Sequence, residues 1–315
     1  MRRFFRILAI ASFLPVILLA VGLYYAIENV FPYSAIRPHR CTVAEMALSS
    51  PNLLTPAAFT THWEEFDITV EDTIRLKGWF VLASVAQNRG TIILLHGIGS
   101  CKISMLSMAR LFVGNGFNCI LYDARAHGES GGINCTFGYY EKRDLSSCID
   151  SAVVRFPGSA PFGVFGDSFG AATAIQALAA DRRLVCGIAE SPFATLRGVI
   201  HEYFRQMYFI PLNFIPDAAL LRSERIARFQ VDSVSPERDA RKITQPTMIV
   251  HGSADRKISP QYGRRVYDNL ASEHKEWFLV DGAGHSDIEK VGGAQYELRI
   301  IGFFRRYMAG NHQTE

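Results

Sequence analysis

The chain has 315 residues, 49% of them hydrophobic and 20% charged, with a formal net charge of +3. That length and apolar content suit one large globular domain plus an appendage and leave little room for a disordered tail. Lys and Arg are scattered, as in RSERIARFQ and FFRRYM; alternation with apolar and acidic residues reads as solvated helix faces and argues against a nucleic-acid groove.

The first segment differs in kind. MRRFFR is basic, and ILAIASFLPVILLAVGLYYAI, from Ile7 to Ile27, carries no charge. At about 1.5 Å per residue this run reaches about 30 Å, the thickness of a bilayer's hydrocarbon. Pro15 is tolerated in a lipid helix, and Tyr24 and Tyr25 stand where an interfacial aromatic belt belongs. The alternative is a signal peptide cleaved near Ala20-Val21-Gly22, but its apolar region would normally span only about 7–15 residues. Residues 1–28 are therefore read as a retained anchor. Arg2, Arg3 and Arg6 crowd its front, whereas Arg37 and Arg40 lie farther behind, which places the globular part outside the cytoplasm; cleavage would leave it secreted or periplasmic.

Residues 29–60 contain Pro32, Pro38, Pro51 and Pro56 with little periodicity, as expected of an extended linker or a surface strap. From there HWEEFDITV and IRLKGWFVLA alternate as a hairpin of half-buried strands. Six continuous apolar runs follow: TIILLHG, FNCILYD, PFGVFGD, LVCGIAE, PTMIVHG and KEWFLVDG. Continuous apolarity is the mark of parallel strands buried on both faces. Helix-length stretches at 102–115, 139–155, 169–181, 260–272 and 287–308 separate or follow them. The expected fold class is α/β: one mostly parallel eight-stranded sheet with an antiparallel N-terminal hairpin and helices on both faces, over residues 61–310. The interval 192–245 breaks the rhythm with HEYFRQMYFIPLNFIPDAALL. A connection of that length is a short helical cap over the site or an ordinary crossover helix with an apolar face.

The six cysteines form no metal-binding spacing. Cys119 and Cys186 lie in strand-like runs and read as core. Cys135 and Cys148 flank a loop and a helix start, so an oxidising compartment would permit them to pair; helical periodicity equally allows Cys148 to face the core.

Ligands of open parallel sheets gather beyond the carboxyl ends of the strands, and here those ends carry His96, Asp123, Asp167, Ser168, Glu190, His251 to Asp255, and Asp281 to His285. In Gly166-Asp167-Ser168-Phe169-Gly170 an apolar strand ends and AATAIQALAA, a strong helix former, begins. A serine at such a turn takes a strained backbone, and glycine two residues either side removes the obstructing Cβ atoms. Unpaired N–H groups at the helix start favour an oxyanion. A serine hydroxyl needs a base, and His285 in VDGAGHSD is the best placed; Asp255 in IVHGSADRKISP would fix its tautomer. His96, His127 and His251 each precede a glycine and more often shape turns. Asp281 points into a turn, and Asp287 suits an N-cap for the last helix. Two backbone donors are required for a tetrahedral intermediate; the N–H groups of Phe169 and of Ile98, in the HGIG loop, are the candidates.

These pieces together resemble the α/β-hydrolase superfamily from about Trp63 to Arg306, through LLHGIG, LYDARAHGESGG, GDSFG, VHGSADRKISP and GAGH. DARAHGESGG resembles the corresponding segment of the monoacylglycerol-lipase and serine-aminopeptidase-like branch, which implies that Asp123 to Gly132 shape fold and pocket wall and are not a second catalytic set. The N-terminal anchor and short crossover resemble membrane-tethered esterase-like members. The resemblance implies acyl transfer by Ser168, His285 and Asp255 without metal or organic cofactor, on esters, lysophospholipids, other acyl groups or peptides. The main expectation is a membrane-anchored serine hydrolase of acyl or lipid-like carboxylic esters. The runner-up is a peptidase or amidase, for which Glu190 or acidic residues of the crossover would recognise the amine, or else serve the structure alone; a non-catalytic binding module on the same fold is the third reading.

Overall fold

A strand apolar at every position has no face to offer water, so it must be covered on both sides. In the computed structural model, which describes residues 2–71, 73–83, 88–209 and 212–308, these runs build one sheet. The chain opens with helices α1 (Arg2–Asn29), α2 (Phe31–Ile36) and α3 (Val43–Ser49). Four short strands follow: β1 (Trp63–Glu65), β2 (Ile68–Val70), β3 (Ile74–Leu76) and β4 (Gly78–Val81). The alternating part comprises β5 (Thr91–Leu95), α4 (Leu106–Gly114), β6 (Asn118–Tyr122), α5 (Glu141–Arg155), β7 (Phe162–Asp167), α6 (Phe169–Ala180) and β8 (Leu184–Glu190). Next come α7 (Leu196–Tyr208), α8 (Phe214–Ala227), α9 (Pro236–Asp239), β9 (Thr247–Gly252), α10 (Pro260–Asn269), β10 (Lys275–Val280) and α11 (Ile288–Met308).

The main sheet has eight strands in the order β1-β4-β6-β5-β7-β8-β9-β10. β4 runs antiparallel to β1 and β6, and the strands from β6 to β10 are mutually parallel. Period-two alternation divides each central strand between two cores. Ile92 and Leu94 of β5 face a cluster with Phe112 of α4 and Ile300 and Phe304 of α11. Ile93 and Leu95 face the opposite one, with Ile149 of α5 and Ile175 of α6.

The expected hairpin is present but broken in two. β1 pairs with β4 in the main sheet, while β2 and β3 form a separate two-stranded sheet. The reason is Lys77: its N–H donates to Ser130 Oγ at 2.9 Å and its carbonyl accepts from Asp123 N at 2.9 Å, so it leaves the hairpin ladder. Residues 29–60 are not extended. Pro32 occupies the first turn of α2, where its missing N–H costs nothing, and Thr42 and Glu45 form a capping box that starts α3. Prolines here open helices instead of excluding them.

Cys135 and Cys148 do not pair. Both are free and buried, in different apolar clusters, with Cys148 on the core face of α5. The disulfide joins Cys41 to Cys101, with Cα atoms 5.7 Å apart. It forms because the 29–60 segment folds back onto the loop after β5, a tertiary contact invisible to spacing.

The DARAHGESGG segment is held by buried charge. Asp123 accepts from Lys102 N at 2.6 Å and Lys102 Nζ at 2.9 Å, and Arg125 grips Asp144 with two bonds of 2.7 and 2.6 Å. Removing one partner of such a pair strands the other charge. Burial pushes the Asp144 carboxyl up to about 6 even with Arg125 beside it. Arg125→Leu is therefore expected to lower the unfolding free energy at pH 8 by about 3–5 kcal/mol in urea titration. The deficit should shrink at pH 5, where Asp144 takes up a proton; a deficit independent of pH would contradict the account.

Candidate active site

Three chain segments meet at the carboxyl edge of the sheet. The first is the turn between β7 and α6. Ser168 stands there with φ 54° and ψ −109°, a left-handed backbone that costs a non-glycine residue about 1–3 kcal/mol. A Cβ on Gly166 would lie 2.2 Å from the Gly170 carbonyl oxygen, and one on Gly170 would lie 2.2 Å from that of Leu95. The two glycines are thus demanded by backbone crowding, and the small side chains of Ala171 and Ala174 bring α6 close to the core beside the sheet. Ser168 N donates to the Glu190 carbonyl at 2.8 Å, fixing the turn to the end of β8.

The second and third segments follow β9 and β10. His285 Nε2 is 3.0 Å from Ser168 Oγ, and His285 Nδ1 is 2.7 Å from Asp255 Oδ2. The other carboxylate oxygen accepts N–H bonds from Lys257 and Ile258, each 2.9 Å. Burial alone would raise the Asp255 pKa, but bonds from His251, His285 and the Ile258 amide overcome it and hold the carboxyl well below the usual range. Asp255 is therefore an anion across the whole neutral range. A depressed folded pKa stabilises above the unfolded value of about 3.9 and loses that contribution only in strong acid.

The remaining candidates occupy other positions. His96 bonds through Nδ1 to the Gly97 carbonyl at 2.8 Å and through Nε2 to Ala124 N at 3.0 Å, so both its nitrogens are engaged. His127 bonds to the Arg125 carbonyl and stacks on Phe169; burial and the nearby His96 lower its pKa to about 3. His251 bonds to the Ile258 carbonyl at 2.9 Å and lies 3.3 Å from Asp255 Oδ2. It thus braces the carboxylate, a contact that its reading as a turn residue missed. Asp281 accepts from Ser253. Asp287 directly precedes α11 and its carbonyl accepts from Val291 N at 2.8 Å, as the first bond of the helix, while its carboxylate turns back to Gly284 N at 2.7 Å and shapes the His285 loop. The amide groups of Ile98 and Phe169 have no hydrogen-bond acceptor among the described residues. Gly97, beside Ile98, packs against the Ser168 turn: a Cβ there would sit 3.7 Å from that of Ser168.

Sequence reasoning also missed an acidic recess. A cavity of about 230 Å³ opens beside His285 and is lined by Asp167, Glu190, Glu289 and Tyr296. Tyr296 donates its hydroxyl to Glu190 Oε2 at 2.6 Å. Burial, reinforced by the Asp167 charge and only partly offset by Tyr296, pushes the Glu190 carboxyl up to about 8. Burial raises Asp167 too, against the pull of His285. Tyr296 lies within the final helix, where spacing does not single out its hydroxyl.

This geometry can be set beside known proteins. Residues 86–234 and 232–288 match the family described as serine aminopeptidase, S33. The chain belongs to that family. Among similar proteins, YqkD of Bacillus subtilis is 30% identical over 216 residues, covering 67% of this chain and 69% of its own. The alpha/beta hydrolase domain-containing protein 17B of Xenopus laevis is 26% identical over 220 residues, 68% of this chain and 65% of that one. The solved Pyrococcus furiosus esterase Pf2001 superposes with a TM-score of 0.68 at 25% identity, over 81% of this chain and 96% of that one. An acylaminoacyl peptidase of Pyrococcus horikoshii shares the fold alone: TM-score 0.59, 17% identity, 80% of this chain and 43% of that one. The S33 chain is thus an α/β-hydrolase in fold and a hydrolase by family.

The recess makes its own prediction. A carboxyl with a raised folded pKa stabilises fully below its unfolded value, about 4.3 for Glu, and loses that contribution as pH climbs through the folded value. The melting temperature should therefore decline between pH 5 and 8, and Glu190→Gln should flatten the decline. An unchanged slope in the variant would show that Glu190 does not hold the proton.

Proposed function

We propose that the chain is a serine hydrolase that cleaves carboxylic esters through an acyl-enzyme. The observation that carries this reading is the unbroken relay from Ser168 Oγ to His285 Nε2 at 3.0 Å and from His285 Nδ1 to Asp255 at 2.7 Å. In it Ser168 attacks the acyl carbonyl while His285 takes its proton, and Asp255 holds the ring tautomer and balances the imidazolium. The tetrahedral oxyanion is received by the free N–H groups of Ile98 and Phe169. His285 then returns the proton to the departing alcohol. Water, deprotonated by the same imidazole, attacks the acyl-enzyme and releases the acid and Ser168.

The organisation that goes with this reading is an anchor over 1–28, a strap over 29–60 and a catalytic domain over 61–310 with a cap at 192–245. The helical stretch Phe13–Ile36, from within α1 through α2, is long and apolar enough to cross a bilayer, which favours an acyl or lipid-like substrate at the membrane. The Cys41–Cys101 disulfide favours an oxidising compartment, and hence an extracytoplasmic catalytic domain. Protease added outside intact cells should then digest that domain; full protection would reverse the orientation.

A peptidase or amidase is the second reading, favoured by the acidic recess of Asp167 and Glu190 beside His285, where an amine would be matched. A fluorophosphonate label, p-nitrophenyl esters and aminoacyl p-nitroanilides separate the two. Ester turnover should dominate, and Ser168→Ala should abolish labelling and lower kcat on the order of 10⁴-fold or more. Asp255→Asn should be similarly damaging. Turnover confined to anilides would move the assignment to the peptidase, and full activity in Ser168→Ala would end both readings.

A further inference from the structure

An amide serves a tetrahedral oxygen only when it is held within about 0.5 Å of its productive place, so what holds the Ile98 N–H matters. Its loop is tied from inside at both ends. His96 bonds the Gly97 carbonyl at 2.8 Å and Ala124 N at 3.0 Å, and Lys102 N donates to Asp123 at 2.6 Å. Between these ties the crest turns at Gly99 with φ 70°, and Ile98 is exposed. The crest meets the 29–60 segment from outside. A Cβ on Gly99 would lie 3.9 Å from the His39 carbonyl oxygen, and two residues beyond, Cys41 is bonded to Cys101.

Between those two contacts Arg40 donates to the carbonyls of Gly128, Ser130 and Gly132 at 3.1, 2.6 and 2.6 Å. The segment is thus pinned at residue 40 to the turn after β6, and the sulfur bond carries that anchorage to the loop of Ile98. The bond is also reachable. A cavity of about 400 Å³ lies beside it, lined by Arg40, Cys41, Thr42, Cys101, Lys102 and Asp123. The other four cysteines are free and buried, so a reductant finds one bond to break.

We propose that Cys41 and Cys101 are positioning residues of the oxyanion hole: their disulfide holds the Ile98 amide where the tetrahedral oxygen forms, so turnover depends on the oxidation state of this pair. The proposal rests on the ester reading above and adds to it two residues and a redox dependence. A dithiol reduces the bond by thiolate exchange. Two electrons and two protons pass to the sulfurs of Cys41 and Cys101, which become thiols, and the dithiol closes to its own disulfide. Once the bond is broken, residue 40 keeps its three hydrogen bonds while the crest loses its covalent tie to them. The Ile98 N–H then has no fixed place, whereas the Phe169 N–H, at the start of α6, keeps its own. A displaced donor costs part of the roughly 10²–10³-fold in kcat that follows outright removal of one. Full turnover therefore belongs to compartments where disulfides persist.

The test takes the full chain, oxidised and after treatment with dithiothreitol, beside the variants Cys41→Ser and Cys101→Ser. Fluorophosphonate titration counts intact sites, and kcat and KM for a p-nitrophenyl ester are expressed per titrated site. A trifluoromethyl ketone, which forms a tetrahedral adduct on Ser168, reports the oxyanion hole directly. In reduced wild type and in both variants kcat should fall on the order of tenfold or more, and the ketone should bind more weakly by a like factor. KM should stay within about twofold, since the ground state makes little use of the hole. The two variants should not respond to dithiothreitol. A loss of titrated sites with kcat per site unchanged would make the disulfide a staple of the fold alone and overturn the proposal, as would an unchanged ketone affinity. Absence of ester turnover in oxidised wild type would overturn the ester reading itself, and the proposal with it. Reduction acts on protein already folded, so a variant that fails to fold leaves reduced wild type to decide.

Discussion

The arrangement depends on a crowding of backbones. α6 approaches β5 and its own strand β7 so closely that no Cβ fits at Gly166 or Gly170. That approach drives Ser168 into a left-handed conformation and directs its hydroxyl away from the strand it follows. Strain of this sort survives only where the surroundings over-determine it. Here they do: the Ser168 amide is bound to β8, its carbonyl accepts from Ala172, and the helix behind is buried along nearly its whole length. The serine is therefore held before any partner arrives, and His285 has only to reach a fixed point.

The same edge holds carboxyl groups in opposite states, and the difference is donors. Asp255 is buried yet ionised because two amides and two imidazoles point at it. Glu190 is buried with a single phenol for company, and it keeps its proton to higher pH. Burial is common to both, so hydrogen-bond supply decides the charge. Asp255 thus presents a permanent anion to His285 Nδ1, 2.7 Å away, while the recess carboxyls Asp167 and Glu190 are both pushed up by burial.

Much of this was legible in the chain. The continuous apolar runs disclosed parallel strands, and the order Ser168, Asp255, His285 placed each residue beyond a strand end, where the structure brings all three within hydrogen-bond reach. Local chemistry sufficed because each sits on a short loop directly after its strand. What escaped were relations between distant segments that leave no periodic trace. His251 reads as a turn residue, yet braces Asp255. The hairpin breaks because Ser130 and Asp123 capture the backbone of Lys77. Cys41 finds Cys101 because a segment rich in proline folds into helices and returns to the domain, and prolines in a first turn look the same in sequence as prolines in a linker.

That returning segment changes how the N-terminus should be understood. Arg40 donates to the carbonyls of Gly128, Ser130 and Gly132, and Cys41 is bonded to the loop that carries Ile98 three residues earlier. Ile36 accepts from Cys135 N at 2.8 Å. Between α1 and β1 the chain is thus fastened at several points, through Ile36, Arg40 and Cys41. A slack linker would let the globular part tumble relative to α1; a fastened one fixes which face looks back along that helix. Since α2 and α8 meet at that junction, the face so fixed is the one formed by the 192–245 insertion, which carries the exposed Phe209 and Phe214.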